Sequence, residues 1–379
     1  MVFKHIDQEM LLAQQKLLKQ NAFTPLQIAP FTEFSHAGND NDEETGTRAL
    51  EKGLVGCLMV AGGQGSRLRF DGPKGIFPIM EGSNKSLFQL FAEQVIDASL
   101  KAHTPLKAAI MTSEQNHEQT VAFFTENHYF GLKIDQLSFF MQGSLPLLDE
   151  KGRVILTLSG EVVEAPDGNG GALHAFYTSG IWQRWYAEGV RYLNFIPVDN
   201  PLADPFDPEL TGYHIRCNSD VVMKCIERTD PEENVGLIVK EQGKTAIVEY
   251  SEISDKCKHA RNDDGTLVYR CANISLFEFT MDFIAYLEKC NWKMPLHKAF
   301  KEVKSIAIHK DILKGPPFAW KFETFIFDVL PAASKVDVLM CKREICFAPL
   351  KNASGQHSIT TVREAIKKKE SMKKRSNHV

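Results

Sequence analysis

Ile6, Met10, Leu11, Leu17 and Leu18 recur at helical spacing among Gln and Lys over positions 1–22. With no Pro or Gly in that stretch, the pattern predicts an N-terminal helix. Positions 38–47 (GNDNDEETGT) are polar and turn-rich and predict a loop. An apolar run over 54–60, closed off by Gly62 and Gly63, predicts a buried strand. Alternation follows: helix 87–100, strand 106–112, helix 115–127, strand 137–142, helix 172–188, then strand 192–198 ending in Asp199-Asn200. Strands alternating with helices predict an α/β fold, a mainly parallel sheet covered on both faces.

Beyond residue 205 the pattern loosens. Segments 235–239, 244–250 and 266–269 read as strands joined by turns such as Asp263-Asp264-Gly265, an antiparallel addition to the sheet. His297, among apolar and basic residues, is expected in a helix with a structural role. Three segments result: a helical N-terminal part (1–50), a main α/β domain (51–330) and a short C-terminal segment with a basic tail (331–379).

Composition narrows the function. The chain has 379 residues, 43% of them hydrophobic and 24% charged, enough for a full core without staples. Lys plus Arg number 44 against 48 Asp plus Glu, a balance that offers no electrostatic case for nucleic acid. Charged residues Lys4, Asp7 and Glu9 interrupt the region where a secretory leader needs an apolar stretch. The run near 54–61 is too short to cross a bilayer, so no membrane insertion is expected and the location predicted is cytoplasmic. The eight cysteines form no C-x-x-C pair and read as reduced, scattered thiols; Cys341 and Cys346 stand five apart without a second pair at zinc spacing. The basic residues from Arg363 onward read as a solvated helix end and tail.

The most informative segment is Val60-Ala61-Gly62-Gly63-Gln64-Gly65-Ser66-Arg67-Leu68, followed by Gly72-Pro73-Lys74-Gly75. Glycines after a strand let backbone approach a ligand, and successive N–H groups there can form an anion-binding nest. Arg67 and Lys74 add positive charge. No Gly-Lys-Ser/Thr closes the loop as in a Walker A motif, and Leu68 stands where a dinucleotide fingerprint needs its third small residue. A dehydrogenase therefore ranks low.

This loop resembles the signature of the sugar nucleotidyltransferases, and the motifs that follow keep one family's order. They are Met111-Thr112-Ser113-Glu114, Gln142, Ala165-Pro166-Asp167-Gly168-Asn169-Gly170-Gly171, Val198-Asp199-Asn200 and Val248-Glu249-Tyr250-Ser251-Glu252. Then come Asn273-Ile274, Pro295-Leu296-His297-Lys298-Ala299, Lys321 before Phe325-Ile326-Phe327-Asp328, and Pro349-Leu350-Lys351-Asn352. The chain resembles the eukaryote-type UDP-N-acetylglucosamine pyrophosphorylases of the UDP-sugar pyrophosphorylase family.

That resemblance implies a GT-A-like, doubly wound catalytic domain and the reaction of UTP with a sugar 1-phosphate to give a UDP-sugar and diphosphate. The sugar it implies is N-acetylglucosamine. Glucose 1-phosphate, a broad sugar range, and a nucleotide-sugar-binding regulator with little turnover are the alternatives. A divalent cation, Mg²⁺ or Mn²⁺, is implied at Asp199. Val60, Ala61, Gly62, Gly63, Lys74, Gln142, Gly168, Asp199 and Lys321 are expected on the nucleotide side. Asn169, Glu249, Tyr250, Asn273 and Lys351 are expected on the sugar side, with Arg67, Lys74 and Lys351 carrying the charge that catalysis needs. The sequence departs from the family at Arg69, where Gly is usual, in its short helical N-terminal part, and in carrying little of the C-terminal domain.

Overall fold

The computed structural model describes residues 7–19, 27–308 and 316–376. Its principal elements begin with α1 (Gln8–Lys19), β1 (Ile28–Pro30), β2 (Phe34–His36), α2 (Asp40–Glu51), β3 (Val55–Val60), α3 (Leu87–Lys101) and β4 (Lys107–Thr112). Next come α4 (His117–Glu126), β5 (Leu137–Met141), β6 (Ser144–Pro146), β7 (Glu164–Pro166), α5 (Ala172–Thr178), α6 (Ile181–Ala187), β8 (Tyr192–Pro197) and α7 (Pro208–Cys217). The chain continues through β9 (Val221–Glu227), β10 (Leu237–Glu241), β11 (Lys244–Val248), β12 (Cys271–Thr280), β13 (His297–Glu302), β14 (Phe318–Glu323) and β15 (Val336–Cys341), and reaches a helix over Ile359–Ser376.

One large sheet organises these elements, in the order β2-β15-β9-β12-β8-β3-β4-β5. The quartet β8-β3-β4-β5 is parallel throughout. β12 runs antiparallel between β8 and β9, and β10, with β1 and β11, forms the antiparallel addition. The sequence Val55-Gly56-Cys57-Leu58-Met59-Val60 is apolar without alternation, as a strand covered on both faces must be. Its side chains divide by parity: Val55, Cys57 and Met59 join the core with Phe88, Phe91 and Phe124, while Leu58 joins Phe176, Trp185 and Phe277 on the other face.

The doubly wound α/β expectation holds, with several local corrections. Helix α2 takes up positions 40–47 of the loop expected over 38–47 and runs on to Glu51. The Asn39 side chain caps its first amides, and Asp40, Asp42 and Glu43 sit in the first turn, where the helix dipole favours negative charge. The stretch 172–188 is two helices, broken where Gly180 takes φ +80°. Thr266–Tyr269 is no strand; the strand begins at Cys271, and a bulge between Asn273 and Leu276 interrupts its pairing with β9. His297 opens strand β13, paired with β14, instead of lying in a helix. Cys341 and Cys346, expected as free thiols, are joined in a disulfide; the other six cysteines are free.

The N-terminal segment is not wholly helical. α1 is present, its Gln14 donating to the Pro146 carbonyl, and the expected helical residues 1–6 and 20–22 lie outside the described ones. β2 enters the main sheet beside β15, so the first fifty residues and the last fifty share one sheet with the middle of the chain. The basic residues from Arg363 lie on the helix Ile359–Ser376, where Arg363 Nε donates to the Ile79 carbonyl.

Candidate active site

β3 has β4 and β5 on one side and β8 on the other, so the strand order reverses beside it. Open α/β sheets bind ligands outside the carboxyl ends of the strands at such a point. A cleft of about 420 Å³ opens there. Val60, Gly62, Gly63, Arg67, Lys74, Gln142, Gly168, Asn169, Asp199 and Lys321 line it, ten of the residues singled out from sequence. Ala61 is buried beneath, its N–H donating to the Met111 carbonyl.

The loop after β3 is held from outside. Ser113 Oγ donates to the Gly62 carbonyl at 2.8 Å, and Asn116 Nδ2 donates to the Ala61 carbonyl at 2.9 Å. Lys74 N donates back to the Gly63 carbonyl at 3.0 Å, folding 63–74 into a closed loop. Among the described residues no protein acceptor takes the N–H groups of Gly62, Gly63 or Gln64. Carbonyls engaged and amides left over make an anion nest.

Three cations converge on this nest. The Lys74 side chain is 9% exposed and its Nζ lies 3.4 Å from Asp199 Oδ2. Arg67 is exposed on the loop. Lys321 Nζ pairs with Glu323 Oε1 at 2.6 Å, both reaching the cleft from one face of β14. Asp199 stands two residues past β8, its carbonyl accepting from Leu350 N at 2.7 Å. The neighbouring Asn200 side chain donates to the Cys346 carbonyl at 2.7 Å and accepts from Ala348 N at 3.0 Å, which ties down the segment bearing Lys351.

Gln142, just past β5, donates from Nε2 to the Gly168 carbonyl at 3.1 Å and to Asp167 Oδ1 at 3.4 Å. Gly168 needs to be glycine: its φ is +87°, and a Cβ there would stand 2.3 Å from the Thr324 carbonyl oxygen. Asn169 Oδ1 accepts from Ile326 N at 3.0 Å. Burial pushes the Asp167 carboxyl up to about 6, despite its contact with Gln142 and the nearby Lys321 charge.

The remaining sugar-side candidates gather on the flank of the cleft. Asn273 N donates to the Gly236 carbonyl at 2.8 Å, and a Cβ on Gly236 would lie 3.3 Å from Glu249 Oε1. Burial raises the Glu249 carboxyl, Glu252 adds to this, and the Lys351 charge opposes it. Glu249, Asn273 and Lys351 thus share one neighbourhood. Tyr250 is 47% exposed, and none of the described contacts joins it to them. His297 closes the group from below. Its Nε2 lies 2.9 Å from Asp328 Oδ2 and its Nδ1 3.6 Å from Glu252 Oε1. Burial alone would lower this imidazole, yet the two carboxylates push it up to about 9.

Sequence reasoning passed over Asp167, Gln64, Gln115 and Glu323 as site residues. Asp167 sat within a quoted motif, and Glu323 lies two positions after Lys321, the spacing that puts two side chains on one face of a strand. Gln64 Nε2 donates to the Gln115 carbonyl across the cleft mouth, a contact with no sequence signal.

A family model described as UTP–glucose-1-phosphate uridylyltransferase matches residues 1–373. A Schizosaccharomyces pombe protein named "Probable UDP-N-acetylglucosamine pyrophosphorylase" is 38% identical over 327 residues, 82% of this chain and 69% of that one. The UDP-N-acetylglucosamine pyrophosphorylase of Saccharomyces cerevisiae is 34% identical over 348 residues, covering 88% and 73%. The crystal structure of the Trypanosoma brucei UDP-N-acetylglucosamine pyrophosphorylase with an inhibitor superimposes with a TM-score of 0.81 at 28% identity, over 94% of this chain and 74% of that one.

Proposed function

The chain belongs to the UTP–glucose-1-phosphate uridylyltransferase family, and from that premise we propose that it transfers uridylyl from UTP to N-acetylglucosamine 1-phosphate, releasing diphosphate. The observation that supports this most is the joining of an amide nest, Arg67, Lys74 and Lys321 in one cleft with the Asp199 carboxylate. The named relatives act on the N-acetylglucosamine compound, and in this reading Asn169, Glu249 and Asn273 take the sugar.

In this reading, a sugar phosphate oxygen attacks the α-phosphorus of UTP in line, and the bond to the β-phosphate oxygen breaks. Two anions must meet, so the protein's contribution is position and positive charge. The nest and Lys74 hold the triphosphate, and Arg67 forks the departing diphosphate. Lys351 meets the sugar phosphate from the opposite flank, which keeps the two anions on separate cations until they align.

Among the described residues no three His, Cys, Asp or Glu side chains converge as a ready-made metal cage. A single carboxylate at the phosphate end suits Mg²⁺ or Mn²⁺, which completes its shell with phosphate oxygens and water. Asp199 fits that role, and the cation would offset charge on the phosphates.

Diphosphate release from UTP, Mg²⁺ and a panel of sugar 1-phosphates tests the reading. Fastest turnover with N-acetylglucosamine 1-phosphate is expected. Preference for glucose 1-phosphate would reassign the sugar, and UTP binding without turnover would favour a regulator.

A further inference from the structure

A uridylyltransferase must read its base, and the groups that do so need a fixed orientation. We propose that Asp167 is the positioning residue for base choice: with the Gly168 carbonyl it holds Gln142 Nε2 and so presents Gln142 Oε1 to the cleft as an acceptor. This rests on the proposed uridylyl transfer.

The argument begins with the amide. A carboxamide can lie either way round, and only its partners decide which. Both partners of Gln142 on the 167–168 side are acceptors, at 3.4 Å and 3.1 Å. Turning the amide over would set oxygen against two oxygens. Nε2 is therefore fixed inward, and Oε1 is directed at Gly62, where a Cβ would stand only 2.0 Å from it. Gly62 is a wall of the nucleotide cleft.

Asp167 is itself held in place. Its N–H donates to the Gly143 carbonyl at 3.2 Å, and its carbonyl accepts from Thr324 N at 2.8 Å. Its Oδ2 occupies the space a side chain at position 143 would need, 2.6 Å from the Cβ that Gly143 lacks. The residue after Gln142 thus makes room for the carboxylate that orients Gln142.

An acceptor opposite N3 of a pyrimidine distinguishes the two bases. Uracil carries a hydrogen on N3 and donates it. Cytosine N3 is an acceptor and would face Oε1 with no proton between them, leaving two desolvated acceptors opposed. Asp167 touches no substrate atom in this scheme; it acts through Gln142.

Binding of UTP and of CTP to the full chain by calorimetry, alongside diphosphate release with each nucleotide, provides the test. Wild type should prefer UTP. In Asp167→Asn the amide at 167 can donate as well as accept, Gln142 can turn over, and the UTP:CTP ratio should fall about tenfold. Gln142→Ala should lose the preference for UTP, which keeps the idea testable if the first variant does not fold. A general loss of packing would weaken both nucleotides alike, and that result, an unchanged ratio, or a wild type without UTP preference would overturn the inference. A ratio that responds as expected while no sugar phosphate yields diphosphate would overturn the transfer reading alone.

Discussion

Lys74 Nζ lies 3.4 Å from Asp199 Oδ2, joining the loop after β3 to the end of β8 across the point where the strand order reverses. The cation and the carboxylate proposed to manage the triphosphate are thus placed by each other before any phosphate arrives. A preorganised charge of this kind is worth roughly 2.7–4 kcal/mol in a transition state. Lys74→Ala should therefore lower kcat about 100- to 1,000-fold, with a smaller change in KM for the sugar phosphate. Steady-state diphosphate release measures both; a fall under threefold would return Lys74 to a purely structural pairing.

Asp199→Ala should remove most turnover while leaving the fold intact, since its side chain faces the cleft and the sheet beneath is apolar. Wild-type activity should vanish in excess EDTA and return with Mg²⁺. Far-UV circular dichroism of the variant separates loss of the site from loss of the fold, and full activity in EDTA would discard the metal role.

Lys321 and Lys351 should divide by substrate. Lys321→Ala should weaken UTP binding in calorimetry, because Lys321 lines the cleft beside the nest proposed to hold the triphosphate. Lys351→Ala should spare UTP and raise KM for the sugar phosphate, because its charge acts beside Glu249. Equal weakening of UTP in both variants would contradict the division of the cleft.

His297 links β13 to two carboxylates, and that sets a pH window. Glu252 and Asp328 face the ring directly, with Glu249 and Lys351 beyond them. Its folded pKa of about 9 lies above the ordinary 6.5, so the protonated ring stabilises the fold fully below pH 6.5. That stabilisation is lost as pH rises through about 9. The shift corresponds to roughly 3 kcal/mol at most. Thermal melts should show His297→Gln well below wild type at pH 6, with the gap closing near pH 10. A gap independent of pH would mean that packing against the Phe325 ring carries the effect.

Arg69 has φ +57°, in the left-handed region, at the end of the turn 66–68. Side chains pay about 1–3 kcal/mol for strained backbone of this kind, and glycine does not, though it loses more entropy on folding. Arg69→Gly should therefore raise stability by up to about 1 kcal/mol, read as a higher urea midpoint. A lower midpoint would show that the Arg69 side chain contributes more than its backbone costs.

The parallel half of the fold is legible in the sequence because its strands are buried on both faces and read as unbroken apolar runs, as over 55–60. β12 escaped detection for the opposite reason. It carries Asn273, Ser275 and Glu278, and Glu278 is tolerated in the core only because Thr211 and His214, distant in sequence, bind its carboxylate. His297 misled because β13 lies in a two-stranded hairpin, mostly exposed, with no buried face to impose alternation. The helix α2 was hidden by polarity: its acidic first turn reads as loop unless the cap at Asn39 is recognised. Within the site, the nest residues were legible as glycines after a strand. The carbonyl clasps from Ser113 and Asn116, and the hold of Asp167 on Gln142, depend on neighbours brought together only by folding.

Among the described residues β2 pairs in the main sheet with β15 alone, Phe34 opposite Val338 and His36 opposite Met340, across some three hundred residues. A chain emerging from its N-terminus can build the parallel quartet β8-β3-β4-β5 early, since those strands all lie before residue 200. β2 must wait for a partner made some three hundred residues later, and contacts of such separation close slowly. β15 also leads directly into the segment that Asn200 clasps and that carries Lys351. The part of the cleft around the nest, proposed for the nucleotide, can therefore take shape before the flank proposed for the sugar phosphate, and the same late pairing that seals the sheet edge completes the site.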